Sequence, residues 1–203
     1  MQSEQERFEK ALLANMRSFG VELSPETMAL LGTYYSLLIR WNDRLHLVAP
    51  CSPEEFATRH VLESLMLLAH LPHGAKIADI GSGGGLPIVP CLIARADLDA
   101  TLIESSQKKT VFLREALNAV GRKATIVARR FEDIEAPDVG FVTSRALDQF
   151  EKKIDQLFDW VPQGATLLLF GGTSLQQPNW EAFLIPGSEK RYLFRGRRLK
   201  ANN

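Results

Sequence analysis

The 203-residue sequence predicts an α/β fold: a doubly wound, mostly parallel sheet preceded by an N-terminal helical cap. Three observations carry that expectation. From Ile77 onward, short apolar runs alternate with helical segments. The first such junction, Ala78 to Pro87 (ADIGSGGGLP), packs four glycines between Gly81 and Gly85 directly after an apolar run. The chain before it shows helical periodicity only, which predicts a cap over 1–72 and a sheet domain over 73–203.

In the cap, Phe8, Ala11, Leu12 and Phe19 recur at helical spacing. Leu23-Ser24-Pro25-Glu26 reads as a helix start, with Ser24 as cap and Pro25 in the first turn. Leu30, Leu31, Tyr34, Tyr35, Leu37, Leu38 and Trp41 continue that helix. Ser52-Pro53-Glu54-Glu55 opens another, running through Leu62, Leu65 and Leu68 and stopped by Leu71-Pro72-His73-Gly74. Strands are then expected at Ile77–Ile80, Ala100–Ile103, Thr125–Ala128, Gly140–Thr143 and Thr166–Phe170, with a late edge strand around Leu193. Helices are expected at Leu86–Ala96, Gln107–Val120 and Phe150–Trp160. Alternation of this kind implies a parallel sheet covered on both faces.

Twenty-four basic and 24 acidic residues cancel, so net charge points to no nucleic-acid partner, although a basic face fits within a neutral total. The tail from Lys190 to Lys200, with Arg191, Arg195, Arg197 and Arg198, is one such candidate; a solvated terminus accounts for it equally well. The start, Met1 to Glu6, lacks the basic and apolar regions of a signal peptide, and no apolar stretch approaches the ~18 residues of a membrane span. Cys51 and Cys91 lack paired spacing, which argues against a zinc site or a disulfide framework. The expectation is a soluble, cytoplasmic protein without a metal.

A glycine turn between first strand and first helix lies in the crevice where such sheets bind ligands. The dinucleotide fingerprint requires glycine at its sixth position, which is Leu86 here; the sequence instead fits G-x-G-x-G, with Gly81, Gly83 and Gly85. No G-K-[ST] follows, so a P-loop is excluded. Glu104 ends the second strand, where an acid accepts hydrogen bonds from ribose hydroxyls. A glycine turn with that acid, but without the phosphate-binding glycine, suits a nucleoside cofactor lacking a pyrophosphate, of which S-adenosylmethionine is the commonest. Asp79 is either a polar anchor for the methionine amino group or a residue that structures the turn.

Together these motifs resemble the bacterial 16S rRNA guanine-N7 methyltransferase family, historically called glucose-inhibited division protein B. Trp41-Asn42 matches its W-N, and Arg59-His60-Val61-Leu62-Glu63-Ser64 resembles its R-H-x-x-D-S. Asp79 to Pro87 is close to its D-x-G-[ST]-G-x-G-[LF]-P. Glu104-Ser105-Ser106-Gln107-Lys108-Lys109, then Phe112-Leu113, is close to its [DE]-S-x-x-K-[KR]-x-x-F-L, and Ser144-Arg145-Ala146 equals its S-R-A. The resemblance implies a class I (Rossmann-like) methyltransferase with a seven-stranded sheet, S-adenosylmethionine as cofactor, and 16S rRNA or the 30S subunit as partner, acting as a monomer. It implies cofactor contacts at Gly81 and Leu86, the ribose at Glu104 and the adenine at Phe131-Glu132. Arg145 would line the site near the methyl donor and the incoming guanine. Lys108, Lys109, Arg129 and Arg130 are the candidate RNA contacts beside the basic tail.

The sequence departs from the family's pattern at His46, Glu63, Ile88 and Phe170, where the family has Asn, Asp, Gly and Lys. Guanine N7 presents its lone pair without losing a proton, so no general base is required. The [ND]-P-P-[YFW] motif of exocyclic-amine methylation is absent after the fourth strand. Pro90-Cys91 has the residue types of a cytosine-C5 nucleophile but sits in the first helix of the sheet domain, so Cys91 reads as a small buried residue. His60 is expected to make a structural hydrogen bond between cap and sheet; His46, His70 and His73 read as helix-end or surface residues. Two alternatives stand beside the RNA reading: a small-molecule methyltransferase whose cap is a lid, and a non-catalytic relative that binds cofactor or ribosome.

Overall fold

The computed structural model describes residues 3–145 and 154–197. Met1, Gln2, Ala146, Leu147, Phe150, Arg198 and Lys200 therefore lie outside the described residues.

The cap starts on a reciprocal helix cap: Ser3 Oγ accepts from the Glu6 amide at 3.2 Å, and the Glu6 carboxylate accepts from the Ser3 amide at 2.8 Å. This opens α1 (Glu4–Asn15), which buries Phe8, Ala11 and Leu12. Ser24 Oγ accepts from the Thr27 amide and opens α2 (Pro25–Leu45), with Pro25 in the first turn as its spacing predicts. The helix stops at His46, whose φ of 48° is left-handed. Histidine and asparagine both enter that region more readily than most side chains. His46 therefore preserves the helix stop where the family carries asparagine.

The helix expected from Ser52 to Leu68 is continuous in path but changes its hydrogen bonding three times. It runs as α3 (Pro53–Glu55), a π-helix (Phe56–Leu62), α4 (Glu63–Leu65) and a 3-10 segment (Met66–His70). Apolar spacing over so few turns does not separate these pitches, so the sequence shows one helix where four short ones follow each other.

The sheet has seven strands in the order β3-β2-β1-β4-β5-β7-β6. They are β1 (Lys76–Ile80), β2 (Asp99–Ile103), β3 (Thr125–Val127), β4 (Phe141–Ser144), β5 (Thr166–Gly171), β6 (Glu181–Leu184) and β7 (Tyr192–Arg197). The first five pair in parallel, whereas β7 is antiparallel to both β5 and β6. The strand around Leu193 is therefore interior, not an edge; β6 is the edge. It is invisible in the sequence because three of its four residues are exposed, leaving no apolar alternation.

Among the described residues, three helices, α5 (Ile88–Ala94), α6 (Gln107–Ala119) and α7 (Ile154–Trp160), cover the sheet. Alternate residues divide the core: Ile77, Leu102, Leu168 and Phe170 face the cap, α5 and α6. Ala78, Ile103, Leu167 and Leu169 face Leu157 and Val161 on the other side. Tyr34, Leu38 and Leu62 of the cap share one continuous core with Val89, Phe112 and Leu113, so the cap is packed as part of the sheet's helical layer. Ile88 and Phe170 are fully or almost fully buried in that same core.

Candidate active site

Strand order reverses between β1 and β4, on either side of which chain connections run in opposite directions. There β1 hands over to the glycine turn. Gly81, Gly83 and Gly85 have φ of 69°, 53° and 83°, so each glycine of the G-x-G-x-G pattern occupies the left-handed region. The turn is tied sideways to β2: the amides of Gly81 and Ser82 donate to Ile103 O at 2.9 and 3.2 Å. The Gly83 amide donates to Glu104 Oε2 at 2.9 Å, and the Ser106 amide donates to Oε1 at 2.7 Å. Glu104, only 7% exposed, thus holds the turn to the start of α6 while one edge of it faces a cleft.

The cleft has a volume of about 650 Å³. Gly81, Gly83, Leu86 and Glu104 line one wall; Arg129, Arg130, Phe131 and Glu132 line the next; Lys109 and Arg145 also reach it. Phe131 is 5% exposed and meets Trp160 edge-on, with ring centroids 5.6 Å apart, which fixes one aromatic wall.

Three expected site residues do not line this cleft. Asp79 is wholly buried beneath the turn, with neither carboxylate oxygen hydrogen-bonded among the described residues, and burial raises its pKa well above the usual range. Gly85 is a packing glycine: a Cβ there would lie 2.5 Å from Val89 Cγ2 and 3.3 Å from Leu113 Cδ2. Lys108 is exposed on α6, one residue from Lys109, which turns toward the cleft.

Arg145 reaches the cleft, yet its guanidinium is committed to the cap. Nη1 donates to His60 O at 3.1 Å, and Nη2 donates to Arg59 O at 2.5 Å and to Glu63 at 3.3 Å. The expected bond between His60 and the sheet is therefore made by its carbonyl, while ring atom Nδ1 has no partner among the described residues. Burial, reinforced by three arginines, pulls the His60 pKa down to about 3, which keeps the ring neutral at the edge of the cleft. Cys91 is buried, its Sγ donating to Ser64 O at 3.2 Å, and burial raises its thiol pKa. The remaining histidines sit at a helix stop (His46), against Phe183 (His70) and almost fully exposed (His73).

Two residues shape the site through hydrogen bonds that the sequence does not reveal. The Asn42 side chain clips the following loop, its Nδ2 donating to Val48 O at 3.1 Å and its Oδ1 accepting from the Val48 amide at 2.9 Å. That clip swings Leu47 and Val48 against the cleft and gives the W-N pair its physical purpose. Tyr34, which the sequence presents only as an apolar helix position, donates its hydroxyl to Gly84 O at 2.5 Å. Burial raises the phenol's pKa, so it stays protonated and remains a donor. Periodicity detects a buried ring but not the destination of its hydroxyl. Tyr34→Phe is expected to leave a buried carbonyl unpaired and cost about 1–3 kcal/mol. Thermal melting should show the loss, and amide exchange of Gly83 to Gly85 should accelerate beyond that of the β1 amides.

A seven-stranded sheet in this order, with a glycine turn after β1 and an acid after β2, defines a class I methyltransferase fold. A methyltransferase from Pyrococcus furiosus shares that fold at a TM-score of 0.57, with 11% identity over 83% of this chain and 97% of that one. So does M. jannaschii TYW2, solved in complex with AdoMet, at a TM-score of 0.53 and 12% identity over 67% and 73% of the two chains. Residues 27–184 match the model of the GidB family, described as rRNA small subunit methyltransferase G, and the chain belongs to that family. The ribosomal RNA small subunit methyltransferase G of Chromobacterium violaceum is 36% identical over 70% of this chain and 68% of its own length. Among the described residues, no helix is long and apolar enough to cross a membrane.

Proposed function

We propose that this protein transfers the methyl group of S-adenosylmethionine to N7 of a guanine in 16S rRNA, as a monomer in the cytoplasm acting on rRNA or the 30S subunit. The observation that carries the reading is the Glu104 carboxylate, set beside left-handed glycines at the head of a cleft in a chain of this family. The donor set fits the cofactor. Glu104 keeps lone pairs for ribose hydroxyls, Gly81 and Gly83 leave space for close approach, and Phe131 with Glu132 forms the wall for the adenine. Asp79, buried behind the turn, acts on its shape and reaches the methionine amino group only indirectly.

When bound, the cofactor supplies an electrophilic methyl on a sulfonium. The chain's own contribution is to position two reactants, an effect worth roughly 7–11 kcal/mol in well-oriented systems. Neutral His60 and the committed guanidinium of Arg145 agree with a reaction that needs no general base at the cleft. Glu63, Ile88 and Phe170 sit in packing or ion-pair positions among the described residues, which supports turnover despite their departure from the family's pattern.

The deciding experiment is transfer of labelled methyl to 30S particles, naked rRNA and a panel of small nucleophiles, with the modified base identified. Label on small molecules alone would favour the lid reading, and cofactor binding without any transfer would favour the non-catalytic one. Arg129 and Arg130 are exposed at the cleft's rim, where RNA phosphates would pass. Replacing both with alanine is expected to weaken RNA binding and to lower the log–log salt slope by roughly 0.7–0.9 for each phosphate no longer neutralised. An unchanged slope would assign them to a solvated face.

A further inference from the structure

An ionic triad, centred on a buried carboxylate and reaching the surface at Arg191, joins three parts of the chain at the cleft's edge. Glu63, in α4 of the cap, has a side chain only 3% exposed. One carboxylate oxygen accepts from Arg145, at the end of β4, and the other accepts from Nη1 of Arg191. Arg191 lies in the β6–β7 connection, and the sequence presents it only as part of the basic tail. Its place there is built. Ser188 Oγ accepts from the Arg191 amide at 3.0 Å, and the Ile185 amide donates to Arg191 O at 2.9 Å. Arg145 is thereby gripped by Arg59 O, His60 O and Glu63, with its side chain 16% exposed and still lining the cleft.

We propose that Arg191, acting through Glu63, is a positioning residue that fixes the Arg145 guanidinium for methyl transfer. The proposal rests on the cleft being the methyl-transfer site. Buried ion pairs add little net stability compared with apolar packing, because desolvation offsets most of the attraction. What the triad supplies is geometry. Two guanidiniums on one carboxylate also favour its charged form: burial pushes the Glu63 pKa up, and Arg145 and Arg191 oppose the rise. Among the described residues, the charged groups acting on Glu63 are Arg145 at the end of β4, Arg191 from the β6–β7 connection and Arg59 from the π-helix, with neutral His60 on the same segment as Arg59. Without Arg191, Glu63 takes up a proton at higher pH, and Arg145 then loses its counter-charge and one of its acceptors. A misplacement of about 1 Å at a reacting centre can cost roughly a hundredfold in rate.

The test compares Arg191→Met and Arg191→Lys in the full chain. Arg191→Met is expected to lower single-turnover methyl transfer by about tenfold or more. S-Adenosylmethionine affinity and the KM for RNA should stay within about twofold, and Arg191→Lys should recover most of the rate. As pH falls, the Met variant should begin to lose further rate at a higher pH than the unmodified protein does, because protonation of Glu63 removes what holds Arg145. Nitrogen-15 spectra of the Arg145 guanidinium give a readout independent of activity: slow rotation of the bound group should be lost in the Met variant. Retained rate and retained slow rotation would overturn the proposal. So would a loss that follows melting temperature alone and is not recovered by lysine. If the unmodified protein methylates no RNA, the functional reading has failed; the Arg145 spectra still decide whether Arg191 fixes it.

Discussion

Gly83→Val should abolish measurable S-adenosylmethionine binding while leaving the protein folded. The argument combines backbone and space. Gly83 has a φ of 53°, which costs an L-residue roughly 1–2 kcal/mol and is least tolerable for a β-branched one. Among the described residues, a Cβ there would find only Gly81 O within reach, at 3.6 Å, so they leave room for a side chain. That room belongs to the cleft. Valine would occupy the space into which the cofactor's backbone-hugging portion must fit, and strain would shift the amide that Glu104 holds. Calorimetric titration of the folded variant is the check, with circular dichroism and melting to establish the fold. Gly85→Val is the informative contrast: it strikes Val89 and Leu113, so its damage should be to stability. Wild-type affinity in folded Gly83→Val would remove the cofactor from this turn.

These two glycines show what was legible in the sequence and what was not. Spacing identified the turn and its place after β1, because strand, glycines and helix follow one another along the chain. It could not separate the ligand-facing Gly83 from the core-packing Gly85, since that depends on where Val89 and Leu113 arrive from later elements. Glu104 was visible for the same local reason: it ends the second strand. Arg145 was visible as a motif residue, but its partners are carbonyls of Arg59 and His60, and a backbone carbonyl carries no residue-type signal. Tyr34 and Arg191 also act at long range, through a hydroxyl and a loop that no periodicity marks. For the fold, the parallel strands were clear because burial on both faces demands apolar runs. The exposed edge strand β6 makes no such demand and left no trace.

Glu104→Ala should weaken S-adenosylmethionine by roughly a hundredfold or more while changing RNA affinity little. Two losses add. Each charge-assisted hydrogen bond from a ribose hydroxyl is worth about 1.5–3 kcal/mol, and about 1.4 kcal/mol corresponds to a factor of ten. Alanine also releases the amides of Gly83 and Ser106, which the two carboxylate oxygens hold at 2.9 and 2.7 Å. The glycine turn then loses its tether to α6, so the cofactor meets a site that must first be ordered. Glu104→Gln separates the two contributions. Its single amide oxygen can keep one backbone donor, whereas its NH₂ group cannot accept from the other. The glutamine variant should therefore fall between alanine and the unmodified protein, with amide exchange showing which of Gly83 and Ser106 stays protected. The basic rim of Lys109, Arg129 and Arg130 does not depend on this carboxylate for its charge, which is why RNA binding should persist. Parallel loss of cofactor and RNA affinity in folded Glu104→Ala would mean that the carboxylate supports the whole cleft rather than the ribose, and the ribose assignment would have to be withdrawn.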